Sequence, residues 1–134
     1  MSSNLDIDGV PSLNGLHVLV VEDDEATRYA WRSYLAGAGA TVTVAATGSA
    51  ALRVLGMASV DVLVADLKLV GMTGLEIVAH RSMMRPLARP VVAIAVTAYP
   101  ELRAEALGGG FVAFLEKPVE PRDLIEEIAR RARP

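Results

Sequence analysis

The chain predicts an α/β fold, a doubly wound parallel sheet of five strands with five helices on its two faces. Three observations carry this. Five short β-branched runs, His17–Val21, Thr41–Ala45, Asp61–Ala65, Val91–Val96 and Phe111–Leu115, are near-continuously apolar instead of alternating, as strands covered on both faces are. Segments with helical spacing separate them, and strand–helix alternation implies right-handed crossovers between parallel strands. The length of 134 residues and a hydrophobic content of 52% suit one domain with a proper core.

The elements follow in order. Met1–Asn14 is polar and holds Gly, Pro and Ser, so it is expected to be a flexible lead-in or linker, with the domain over 15–134. In Asp24–Ala38, Trp31, Leu35 and Ala38 fall on one helical face, a core stripe, and Gly37 and Gly39 supply the stop. Ser49–Leu55 is a shorter helix with capping candidates at Thr47–Ser49. Thr73–Met84 places Leu75, Val78 and Ala79 on one face and ends before Pro86 and Pro90. Glu101–Leu107 gives barely two turns between Pro100 and Gly108–Gly110. The last helix opens at Pro121 and carries Leu124, Ile125, Ile128 and Ala129. Its acids Asp123, Glu126 and Glu127 precede Arg130, Arg131 and Arg133, as the helix dipole favours.

Composition excludes several functions. Thirteen Lys and Arg stand against 16 Asp and Glu, a net charge of −3, so no basic field exists for nucleic acid or an anionic membrane. With no cysteine, disulfides, thiolate zinc sites and cysteine nucleophiles are all ruled out. The start lacks the basic and apolar regions of a signal peptide, and the apolar runs are far short of the roughly 20 residues of a membrane span. A cytoplasmic location is expected.

In a doubly wound sheet the chemistry lies past the carboxyl ends of the strands. Strand one runs into Glu22-Asp23-Asp24-Glu25, strand three ends at Asp66, strand four at Thr97 and strand five at Lys117-Pro118. Asp24 and Glu25 read as helix-start residues. Glu22, Asp23 and Asp66 would crowd three carboxylates into one crevice if strands one and three are neighbours. Such a cluster calls for a proton or a cation, and a hard divalent ion such as Mg²⁺ suits oxygen ligands. Thr97 offers a hydroxyl donor and Lys117 a point charge for phosphoryl oxygens, leaving a carboxylate to act as nucleophile.

Four fragments, VLVVEDDEATR, VLVADLKLVGMTGLE, AVTAY and FLEKPVEP, occur in order, and together they resemble the receiver domain of two-component response regulators over about Leu16–Arg131. The resemblance implies the flavodoxin-like strand order 2-1-3-4-5. It implies Asp66 as phosphoacceptor, and Mg²⁺ (or Mn²⁺) bound by Asp23, Asp66 and the Lys68 carbonyl, with Glu22 helping through water. It implies Thr97 and Phe114 as switch residues, Lys117 as the cation paired with Asp66 or the phosphoryl group, and a cis-proline at Pro118. A histidine kinase or phosphotransfer protein would be the donor and another protein the target, without DNA or membrane contact. The chain departs from the family's pattern at Val70, where a proline is usual. Lys68 and Tyr99 stand where the family tunes dephosphorylation, and slow loss of the phosphoryl group is expected. Thr97 and Lys117 are only 20 positions apart, which shortens helix four and argues for a monomer or weak dimer. Two other readings stand beside this one: a phosphorylation-independent interaction module, and an aspartyl-phosphate phosphatase, which is expected to place its nucleophile on strand one.

Overall fold

The structure is a computed structural model of the 134-residue chain and describes residues 9–84 and 90–132. The strands are β1 (His17–Val21), β2 (Thr41–Ala45), β3 (Val62–Ala65), β4 (Val92–Thr97) and β5 (Ala113–Glu116). The helices are α1 (Glu25–Gly37), α2 (Gly48–Met57), α3 (Gly74–Ser82), α4 (Arg103–Gly108) and α5 (Pro121–Ala132). All pairings are parallel, and the order is β2-β1-β3-β4-β5. Both the doubly wound class and the order implied by the resemblance are therefore met.

Alternate residues of each central strand face opposite sides. Val18, Val20, Val62, Val64, Ile94 and Val96 pack with Trp31 and Leu35 of α1 and Leu124 and Ile128 of α5. On the other face Leu19, Val21, Leu63, Ala65 and Ala95 pack with Leu55 of α2, Ile77 of α3 and Ala106 of α4. Three helices begin with side-chain caps that satisfy otherwise orphan N–H groups. The Asp24 carboxylate accepts from the Thr27 N–H at 2.9 Å and Thr47 Oγ1 from the Ala50 N–H at 3.1 Å. Thr73 and Glu76 form a reciprocal capping box.

Several expectations need correction. The core begins before residue 15: Leu13 is fully buried and its N–H donates to the Ala38 carbonyl at 2.8 Å. Apolar burial beside the end of α1 fixes this part of the expected lead-in, and Gly39, at φ +107°, leaves room for Asn14. In α3 the fully buried apolar side chain is Ile77, whereas Ala79 is exposed. The face turned to the core is thus centred on Ile77, with Leu75 and Val78 flanking it. Phe111 lies in the turn out of α4, its N–H on the Ala106 carbonyl, so β5 starts later, at Ala113. Asp61 precedes β3 and uses its carboxylate to accept the His17 N–H at 2.8 Å. The fourth helix is split into a 3-10 turn over Pro100–Leu102 and the six residues of α4. Pro86, Arg133 and Met1–Asp8 lie outside the described residues.

Candidate functional site

The site forms where β1, β3, β4 and β5 end. Glu22 follows β1 and is 1% exposed; Asp66 follows β3 and is 7% exposed. Lys117 follows β5 and reaches across the end of β4 to both. Its ammonium donates to Glu22 Oε1 and to Asp66 Oδ2, each at 2.7 Å. The second oxygens are held by the backbone: Glu22 Oε2 accepts the Asp24 N–H at 2.9 Å, and Asp66 Oδ1 accepts the Lys68 N–H at 3.1 Å. Thr97, fully buried, ends β4 and is tied to Lys117 through the Lys117 N–H on its carbonyl at 2.8 Å. Its Oγ1 accepts the Tyr99 N–H at 3.4 Å.

One ammonium thus serves two buried carboxylates. Burial pushes the Glu22 carboxyl up; hydrogen bonds from Lys117 and the Asp24 N–H pull it back without cancelling the rise. For Lys117 burial works downward, but the bonds to Asp66 and Glu22 prevail and hold the ammonium above the usual lysine range.

The remaining predicted residues surround this triad. Asp23 is exposed, and its carbonyl and that of Glu22 accept from Arg28 Nη1. The Lys117–Pro118 peptide bond is cis. Phe114 is half-buried on β5, with the Arg103 guanidinium 5.7 Å from its ring centroid. The Lys68 ammonium stands 4.0 Å from the centroid of Tyr99. Two glycines shape the loop after Asp66: Gly71 turns at φ +84°, and Gly74 lets α3 start where a Cβ would come within 2.5 Å of the Asp66 carbonyl oxygen. Sequence reasoning missed the place of Trp31, whose ring centroid lies 5.4 Å from the Lys117 ammonium. Its helical spacing marked it as core, and nothing in the sequence told which strand end it would meet.

Among the described residues, no three His, Cys, Asp or Glu side chains are already gathered as a metal-ligand set. The donors at hand are nonetheless all oxygen, from Glu22, Asp23 and Asp66, and suit a hard divalent cation such as Mg²⁺ or Mn²⁺.

The sheet order and the carboxylate–lysine cluster define a class, and comparison with known proteins agrees. Residues 18–129 match the response regulator receiver domain family, and the chain belongs to it. It is 40% identical over 119 residues to the "Uncharacterized 14.6 kDa protein in sodA1 3′region" of Leptolyngbya boryana, covering 87% of this chain and 90% of that one. It is 38% identical to the regulatory protein VirG of Rhizobium radiobacter, where 88% of this chain spans only 45% of the relative. A CheY-like receiver domain protein from Methanospirillum hungatei JF-1 superimposes with a TM-score of 0.80 at 31% identity, covering 87% of this chain and 93% of that one. The receiver domain of Saccharomyces cerevisiae Ssk1, crystallised with the histidine phosphotransfer protein Ypd1, shares the fold at a TM-score of 0.80 and 24% identity, covering 92% and 90% of the two chains.

Proposed function

We propose that this chain is the phosphoacceptor of a two-component phosphorelay, in which Mg²⁺-dependent phosphorylation of Asp66 switches a protein-interaction surface. The observation that carries the reading is the Lys117 ammonium on Asp66 Oδ2 and Glu22 Oε1 at 2.7 Å, in a chain of the receiver family. A carboxylate oxygen of Asp66 attacks the donor's phosphorus. An O–P bond forms as the donor's N–P bond breaks, and the departing imidazole keeps the electron pair and takes up a proton. Lys117 then turns from the carboxylate to the phosphoryl oxygens. Thr97, whose Oγ1 accepts the Tyr99 N–H, has its hydroxyl proton to donate to the same group and moves inward, and Phe114 repacks with it. Asp23, Asp66 and the Lys68 carbonyl would hold Mg²⁺ or Mn²⁺, with Glu22 helping through water, and the ion would supply positive charge for the phosphoryl oxygens.

The chain's own catalysis is limited to its phosphorylation and the hydrolysis that reverses it. The donor is a histidine kinase or a phosphotransfer protein, in keeping with the Ypd1 complex of the Ssk1 receiver. Output passes through protein contact in the cytoplasm. No described helix is long and apolar enough to cross a membrane.

Intact mass after incubation with acetyl phosphate and Mg²⁺ tests this. The expected result is one acid-stable, base-labile phosphoryl group, absent from Asp66→Asn and in EDTA. No gain, together with no change in the NMR spectrum on adding beryllofluoride, would leave a phosphorylation-independent interaction module. Sustained turnover of p-nitrophenyl phosphate would instead point to a phosphatase.

A further inference from the structure

We infer that Trp31 is a positioning residue, the face of its indole holding the Lys117 ammonium in place against Glu22 and Asp66. The inference rests on the phosphoacceptor reading of the site and names a residue of this chain on which that site depends.

An ammonium has three donors, and two of them are spent on Glu22 Oε1 and Asp66 Oδ2. On its remaining side lies a cleft of about 600 Å³ between α1 and the β5–α5 loop, walled by Ala26, Ala30, Ala98, Val119 and the two aromatics Trp31 and Tyr34. Among the described residues, no carboxylate lines it. Of the two hydroxyl-bearing residues in its wall, Thr27 and Tyr34, Thr27 already donates to Asp24 Oδ2 at 2.6 Å. What faces the ammonium there is the Trp31 ring, at 5.4 Å from its centroid, within the range in which an indole attracts a cation. Trp31 is itself only 6% exposed and stands beside Leu35 in the core, so the ring cannot swing away.

This placement matters once Asp66 is modified. The Asp66 oxygen that Lys117 grips is then committed elsewhere, and a flexible four-carbon side chain beside a cleft could leave for solvent. A fixed aromatic face keeps the ammonium at the strand ends, where the phosphoryl oxygens arrive.

The chain has a single tryptophan, so its emission reports this contact directly. The emission of the unphosphorylated protein is compared with that of Lys117→Met. Phosphoryl uptake from acetyl phosphate is then timed for the wild type, Trp31→Phe and Trp31→Leu, at conditions where urea titration shows all three fully folded. Trp31 emission is expected to change in Lys117→Met. Trp31→Leu is expected to slow uptake about fivefold to tenfold, while Trp31→Phe, which keeps an aromatic face, slows it less than about twofold. Unchanged emission, an undiminished rate in Trp31→Leu, or equal slowing in both variants would overturn the inference. A wild type that takes up no phosphoryl group would defeat the functional reading instead. The emission comparison would then decide alone whether Trp31 holds Lys117.

Discussion

Glu22 sets the pH behaviour of the site. Its folded pKa lies above the ordinary carboxylate value, chiefly because burial disfavours its charge. The stability associated with it is therefore complete below the ordinary carboxylate range and is lost as pH rises through the raised folded value. Glu22→Gln removes that loss. Its amide oxygen can still accept from Lys117, and its NH₂ can donate toward Asp66, so the site becomes one carboxylate facing one ammonium. In EDTA at pH 7 the variant is expected to be more stable than wild type. The difference should shrink toward zero as pH falls through the Glu22 titration. Urea midpoints at several pH values measure it, and a less stable Glu22→Gln at pH 7 would refute the account. A second residue-scale expectation concerns lifetime. The Lys68 ammonium and the Tyr99 ring meet at 4.0 Å, and both are tied to the site through backbone N–H groups, on Asp66 and Thr97 respectively. A Lys68→Asn, Tyr99→Ala variant opens the path of attacking water. It is expected to shorten the life of the aspartyl phosphate several-fold, read by the decay of the phosphorylated mass; an unchanged half-life would sink the idea.

At the scale of elements, the start of α3 and the acceptor loop are one packing unit. Thr73 and Glu76 cap the helix, and Gly74 brings its first turn against the Asp66 carbonyl oxygen and Leu67. Gly74→Ala would force a Cβ to 2.5 Å from that oxygen, so backbone must move. The expected cost is about 1–3 kcal/mol, with slower phosphoryl uptake because Asp66 moves with its loop. Gly56 in α2 meets nothing within 4 Å, and Gly56→Ala should instead stabilise by about 0.5–1 kcal/mol and leave uptake unchanged. Chemical denaturation of the pair separates a glycine kept for close approach from one that only loosens a helix. Elements of this kind were unevenly legible in the sequence. The strand ends were readable because Glu22, Asp66, Thr97 and Lys117 each close a β-branched run, and the caps at Asp24 and Thr47 because short polar side chains precede helical spacing. The Ile77 face of α3 was misjudged because Leu75, Val78 and Ala79 offered an equally apolar stripe. The burial of Leu13 was hidden because it stands between Ser12 and Asn14, just after Pro11, outside any strand or helix pattern.

For the whole molecule, the question is whether the switch changes how many chains associate. The surface formed by α4, β5 and α5 has little to offer a second copy. α4 has six residues, a rise of only about 9 Å. Four of the surface's charged groups are already engaged within the chain. Glu127 accepts from Arg130 Nη1 at 2.6 Å and Arg131 Nε at 2.7 Å, and the Arg103 guanidinium lies over Phe114. Leu107 and Val112, at 39% and 43% exposure, are its only exposed large apolar side chains among the described residues. A stable two-fold interface needs about 800 Å² from each partner, with an apolar centre. Breaking the Glu127 pairs to obtain charges for a partner would leave that buried carboxylate without its cations. The chain is therefore expected to remain a monomer, or at most to associate weakly, when beryllofluoride and Mg²⁺ mimic phosphorylation. Sedimentation velocity at tens of micromolar protein, with and without beryllofluoride, is the measurement. Unchanged sedimentation alongside NMR shifts at Phe114 and Thr97 would place the output in contact with a different protein. A beryllofluoride-dependent dimer that Leu107→Glu abolishes would show that six residues of α4 are enough, and that the engaged arginines exchange their partners on activation.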